Sequence, residues 1–449
     1  MTLEQRRYLF SNRDLLALII PLVIEQLLSI LVGMADTVMV SSVGEAAVSG
    51  VSLVDNVMVL LINIFAALAT GGAVIAGQYL GQNNIKQARN AVNQLMWFTG
   101  VLAAGIMLLA YGFRTWVIST LFGQISQDVW YYANSYYLIV AASIPFIALY
   151  NAGAAIFRTM GNSRVTMKIS MIMNAINVVG NAIFIYVFNM EAAGAALATL
   201  IARMVAAIIV IILLLDHDLP LRLAKTLRHR FDGQMIKRVM SIGIPNGLEN
   251  GLFQLGKILL LSLISRFGTA SITANAVMNT VTAFQVLPGS AIALGITTVI
   301  SRCVGAGDYK QARYYNRKLL GIAYAAMWLV SLVILALLSP ILRLYQLSAE
   351  TMAIARKLGI TYTIMAMTLW PLSFALPSTL RAAGDARFTM GVSIFSMWAF
   401  RLVLGYVLGL RFNLGVFGVW LAMYVDWLFR GSLFGWRYLN GAWESKRAI

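Results

Sequence analysis

The sequence predicts an all-α membrane protein with twelve transmembrane helices. They are arranged as two parallel six-helix repeats, an N-lobe and a C-lobe, around a central cleft. Three observations lead there. Of 449 residues, 60% are apolar and only 11% are charged, far from the mix of a water-soluble domain. Apolar runs able to cross about 30 Å of hydrocarbon, roughly 20 residues each, recur along the whole chain. The chain also repeats itself. An offset of 224 positions aligns Pro21 with Pro245, Glu25 with Glu249, Gly44 with Gly268, Lys86-Gln87-Ala88-Arg89 with Lys310-Gln311-Ala312-Arg313, and Gly194 with Gly418. An offset of 223 then superposes Arg158-x-x-Gly161-x-x-Arg164 on Arg381-x-x-Gly384-x-x-Arg387.

The first run, residues 14–40, follows Arg13 and Asp14 and carries Pro21, Glu25 and Asp36. It is too long for a signal-peptide core and lacks a cleavage site, so it is expected to be retained. The second, residues 51–79, contains Ala69-Thr70-Gly71-Gly72-Ala73, small residues that let helices approach closely in lipid. The Gly81 turn and the first Lys-Gln-Ala-Arg segment lie at the inner face ahead of the third run, residues 94–113; the fourth spans 133–157. The fifth, residues 167–189, carries Asn177 and Asn181, and the sixth, residues 192–215, opens on Ala192-Ala193-Gly194-Ala195-Ala196. Residues 216–238, the longest polar stretch and the one with both histidines, form a cytoplasmic linker between an N-terminal lobe at 1–215 and a C-terminal lobe at 239–449.

The second six runs fall at 239–265, 274–301, 319–342, 356–380, 388–410 and 414–436. The seventh holds Glu249, Asn250 and Lys257, the eleventh Arg401, and the twelfth Asp426 and Arg430. The runs are continuous rather than alternating, so they read as helices and not barrel strands. Six is an even number, so both repeats begin on the same side of the membrane.

A net charge of +17 would suggest a polyanion partner in a soluble protein. Here 24 of the 34 basic residues fall on the side of the N-terminus, among them Arg6, Arg7, Arg228 and Arg447. Six fall on the other side (Arg114, Arg266, Arg343, Arg356, Lys357 and Arg411), and Arg203, Lys257, Arg401 and Arg430 lie in or at the ends of spans. The excess therefore orients a protein in the plasma (inner) membrane with both termini cytoplasmic, and no nucleic acid is expected as a partner. A single cysteine, Cys303, and two histidines, His217 and His229, exclude a disulfide framework and a Cys- or His-rich metal centre. Neither histidine lies in a span and Cys303 has no histidine near it in sequence, so no enzyme and no cofactor are expected.

Four intramembrane polar residues are unmatched in the second repeat: Asp36 faces Leu260, Asn177 and Asn181 face Phe400 and Leu404, and Thr199 faces Met423. The fold thus tolerates apolar side chains there. A carboxylate inside a span costs roughly 2.5–3.5 kcal/mol on insertion scales, so Asp36 needs a proton, a cation or a partner. Asn177 and Asn181 share a helix face, and Asp36, Asn181 and Thr199 all lie within about three turns of the outer boundary. Their oxygens suit Na+, and a desolvated Asp suits H+. Glu25, Glu249, Asn250 and Lys257 are candidates for lining the substrate cleft. For the two glutamates, bonding between helices is an equal alternative. Lys257 could pair with Glu249; Asp426 and Arg430 are spaced i, i+4 in the last span and Arg401 lies in the preceding one, so a structural ion pair is expected among them.

At these residues the chain resembles the multidrug and toxic compound extrusion (MATE) family, along essentially its whole length. The resemblance rests on the duplicated layout, Asp36 in the first span after Pro21, the Asn-bearing fifth span and the Gly-Ala-Ala-Leu-Ala-Thr199 run. It implies a V-shaped, two-lobe, alternating-access antiporter that exports small organic cations or amphipathic compounds in exchange for H+ or Na+. The coupling site would be Asp36, Asn177, Asn181 and Thr199, with any Na+ held there. Many relatives carry a second acid where this chain has Asn181, so one carboxylate is expected in the N-lobe site. The protein is expected to act as a monomer. The alternative is a flippase for a lipid-linked precursor, from the wider superfamily.

Overall fold

The computed structural model describes residues 9–122, 126–226, 229–446 and 448–449; Arg6, Arg7, Arg228 and Arg447 lie outside them. No β-strand occurs among the described residues. Nine of the described helices are long and apolar enough to cross a membrane, and two bent pairs qualify when each pair counts as one span. In chain order these are α1 (Asn12–Ser41), α2 (Glu45–Gly81), α3 (Ile85–Gly112), the bent α4 (Gln127–Ala141 with Ile144–Thr159), α5 (Ser163–Val187) and α6 (Glu191–Leu214). There follow α7 (Gly233–Phe267), α8 (Thr269–Gly305), α9 (Tyr309–Leu344), the bent α10 (Ala349–Thr368 with Pro371–Ala383) and α11 (Ala386–Arg411). The twelfth run is α12, Gly415–Leu439, whose 25 residues suffice for a crossing despite Asp426, Arg430 and Arg437.

Several ends differ from the apolar runs for local reasons. Helix α3 starts well before residue 94 because Asn84 accepts a hydrogen bond from the Gln87 amide at 3.2 Å, and Asp308 caps α9 through Gln311 at 3.0 Å. Both Lys-Gln-Ala-Arg segments are therefore first helical turns. Helix α7 begins at Gly233, inside the expected linker, because the Asp232 carboxylate accepts from the Gln234 and Met235 amides, each at 3.1 Å. The fourth and tenth spans bend by 50° and 59°, with Pro145 and Pro371 opening the second segments, where a missing N–H costs least.

The chain divides into two compact units, Leu16–Gly247 and Leu248–Ala448, the latter including the segment that ends at Leu15. In the first, α2 packs along α3 and both segments of α4, and α5 packs on α6; in the second, α8 plays the part of α2. The linker lies on α3. The Arg89 guanidinium donates to the Pro220 carbonyl at 2.8 Å, Gln94 donates to the Arg230 carbonyl at 2.8 Å, and His229 stacks on Trp97 at 5.4 Å.

The glycines matched by the duplication perform matched tasks. Gly44 and Gly268 have φ of 139° and 89°, and Gly161 and Gly384 have 83° and 105°, a region that side chains disfavour. Gly194 and Gly418 instead permit close packing. A Cβ on Gly194 would lie 2.9 Å from the Phe184 Cβ, and one on Gly418 would lie 2.8 Å from the Leu408 carbonyl carbon and oxygen. Gly418→Val is therefore expected to lose about 1–3 kcal/mol of stability, measured by thermal unfolding in detergent. Gly105→Ala, whose Cβ would meet nothing within 4 Å, should leave the midpoint unchanged.

Candidate cation site

The four residues singled out by the repeat comparison meet in the unit Leu16–Gly247. Helix α1 brings Asp36 up from one side, and α5 presents Asn177 and Asn181 one turn apart, 6% and 1% exposed. The Asn181 amide donates to Asp36 Oδ1 at 2.6 Å. Oriented so that both its ends are satisfied, the Asn177 amide donates to the Asp36 oxygens at 2.7 and 3.2 Å, and its own oxygen accepts from the Thr199 hydroxyl at 3.1 Å. Immediately after Asn181 the helix widens into a π-helical turn, Ala182–Val187, a device that often accompanies functional positions.

Beside Asp36 lies a second carboxylate that the sequence reading left out. Asp55, on α2, accepts from the Tyr136 hydroxyl of α4 at 2.9 Å. Both acids line one cavity of about 100 Å³, together with Thr37, Ser52, Tyr136, Asn181 and Thr199. That is room for roughly three waters, or for an alkali ion that keeps part of its shell. Arg203, one turn after Thr199 on α6, interacts electrostatically with Asp36 and Asp55 and donates to the Ser143 hydroxyl at 2.8 Å. The expected single-carboxylate site thus holds two acids and one arginine. The repeat comparison carries a signal for two of the added residues, since Tyr136 faces Ile360 and Arg203 faces Trp427, but Asp55 faces the polar Asn279.

The two glutamates are bound differently. Glu25 accepts from the Thr166 hydroxyl at 3.0 Å and pairs with Arg158 at 3.5 Å. In the other unit Glu249 lies 3.3 Å from Arg381 and 3.5 Å from Arg430, and accepts from Ser393 at 2.8 Å. Arg158 and Arg381 are themselves repeat partners, so the same ion pair was kept twice. The pairing expected within α7 is not formed, because Lys257 does not reach Glu249 but lies 5.2 Å from the Phe253 ring. The ion pair expected in the last two spans joins Asp426 to Arg401 at 3.9 Å instead of to Arg430. In each case an arginine from a neighbouring helix reaches the carboxylate where its own helix does not. Asn250 is half-buried.

Comparison with known proteins agrees with this architecture. The chain is 26% identical over 440 residues to the uncharacterised transporter YisQ of Bacillus subtilis, covering 96% of this chain and 95% of that one. It is 25% identical over 449 residues to the probable multidrug resistance protein NorM of Thermotoga maritima, covering 98% and 94%. A crystal structure of MATE in a bent conformation superposes with a TM-score of 0.88 at 19% identity, over 97% of this chain and 96% of that one. An outward-facing multidrug resistance MATE transporter gives 0.89 at 20% identity, over 96% of each. The pattern of the MatE family matches residues 21–183 and, a second time, residues 245–407, so each half of the duplication carries it and the chain belongs to the MatE family.

Proposed function

We propose that this protein is a secondary antiporter of the plasma (inner) membrane that exports small cationic or amphipathic toxic compounds in exchange for H+ or Na+. Both termini would be cytoplasmic and the working unit a monomer. The observation that carries the reading is the charge balance around Asp36. When both are ionised, Asp36 and Asp55 bring two negative charges to a small intramembrane cavity and the neighbouring Arg203 offsets one of them, which leaves a single negative charge. One monovalent cation neutralises it. The Asn181 oxygen, buried without a hydrogen-bond partner, and the Thr199 hydroxyl supply further oxygens. No divalent charge is called for.

An ion that neutralises this cavity stabilises whichever conformation encloses it. Coupling follows when substrate binding favours the other conformation. The probable multidrug resistance proteins among the relatives support the substrate class. The test is uptake of a cationic dye into inverted membrane vesicles under an imposed H+ gradient and, separately, an imposed Na+ gradient. The reading expects accumulation under one of the two and none when both are collapsed. Equal uptake with and without any gradient would refute it.

A further inference from the structure

The second unit gathers cations around one aromatic ring. On α7, Glu249, Phe253 and Lys257 fall at i, i+4 and i+8 and so share one face. Three cations surround the Phe253 ring: Arg401 of α11 at 5.0 Å, Lys257 at 5.2 Å and Arg430 of α12 at 5.8 Å from its centroid. Arg401 and Arg430 are 7% and 3% exposed, and each has buried N–H groups without a hydrogen-bond partner: Nη1 on Arg401, and Nε and Nη1 on Arg430. Such donors are costly to bury unbonded. Lys257 forms no ion pair among the described residues and is exposed.

The local balance is positive. Glu249 is shared by Arg381 and Arg430, and Asp426, which accepts from the Ser396 hydroxyl, faces Arg401. Two carboxylates therefore offset two of four cations. Arg401 also sits in a π-helical segment, Met397–Leu404, whereas the counterpart of the widened turn beside Asn181 is a second such segment, Val407–Arg411. In the first repeat the matching positions are Gly33 for Lys257, Ser29 for Phe253, Val178 for Arg401 and Ala206 for Arg430, so the fold does not require this cluster.

We propose that the unit Leu248–Ala448 contains an oxyanion subsite, Lys257 and Arg401 about the Phe253 ring, which takes the carboxylate of an amphipathic aromatic substrate. It rests on the transport reading above and narrows its substrate class to compounds that carry an acid besides their cationic or apolar part. Phe253 and Phe374, with the Arg430 guanidinium 4.6 Å from the Phe374 ring, offer the aromatic body a surface. Lys257, the exposed member, meets the anion first.

The test uses purified full-length protein and a matched pair of dyes, a rhodamine with a free carboxylate and its methyl ester, with binding read by fluorescence anisotropy. The wild type is expected to hold the carboxylate dye more tightly than the ester. Lys257→Gln should weaken the carboxylate dye about tenfold and leave the ester unchanged, with Lys257→Arg restoring the preference. Equal affinity for the two dyes, or equal weakening of both by Lys257→Gln, overturns the subsite. Displacement of the dye by phosphatidate but not phosphatidylcholine overturns the substrate assignment and gives the site to a lipid headgroup. Carboxylate-selective binding without gradient-driven movement of either dye upholds the subsite and refutes only the antiport reading.

Discussion

Asp36→Asn is expected to reduce ion-driven dye efflux in proteoliposomes to the leak of protein-free vesicles while the protein remains folded. The replacement is isosteric, and the amide oxygen can still accept from Asn181, which donates to Asp36 at 2.6 Å. The Asn177 amide can turn over to meet the new donor. Stability should therefore change by no more than about 1 kcal/mol, and removal of a charge from the membrane interior can raise it. What is lost is the odd charge. With Asn at position 36, Asp55 and Arg203 balance each other and the cavity no longer calls for a cation. Thermal unfolding and efflux measured on the same preparation separate the two effects. Gradient-driven efflux at the wild-type rate would remove Asp36 from the mechanism.

Glu249→Ala should act in the opposite way, chiefly on stability. Glu249 is 6% exposed and holds Arg381 at 3.3 Å, Arg430 at 3.5 Å and Ser393 at 2.8 Å. Removing the carboxylate leaves two guanidinium groups uncompensated, a change that costs about 3–5 kcal/mol when a buried pair is broken. Glu25→Ala strands only Arg158 and should cost less. Denaturant or thermal unfolding in detergent checks the order. Loss of transport by Glu249→Ala at unaltered stability would make the glutamate a transport residue rather than a tie between helices.

The helices were legible because each apolar run is long and continuous, and the duplication fixed their grouping, down to the paired positive-φ glycines Gly161 and Gly384. Run ends were less so, because hydropathy does not register the caps at Asn84 and Asp308 that carry α3 and α9 past the apolar stretch. At the cation site Asp36, Asn177, Asn181 and Thr199 stood out because their repeat partners are apolar. Asp55 did not, since its partner Asn279 is polar as well, and only the packing of α2 and α4 on α1 brings Asp55 and Tyr136 to it. Ion pairs are less legible for a related reason. Spacing along one helix is visible in a sequence, whereas Glu249 with Arg381 and Asp426 with Arg401 join different helices.

The central claim is that substrate and one cation compete through Asp36, and linkage makes that directly measurable. Adding a saturating cationic dye to purified protein in weakly buffered detergent solution should release about one H+, seen as a pH change, or one Na+, seen with a sodium electrode, for each dye bound. The Asp36→Asn variant should bind the dye and release neither. Wild-type protein that binds the dye with no ion released, or an Asp36→Asn variant that releases as much as the wild type, would contradict the account.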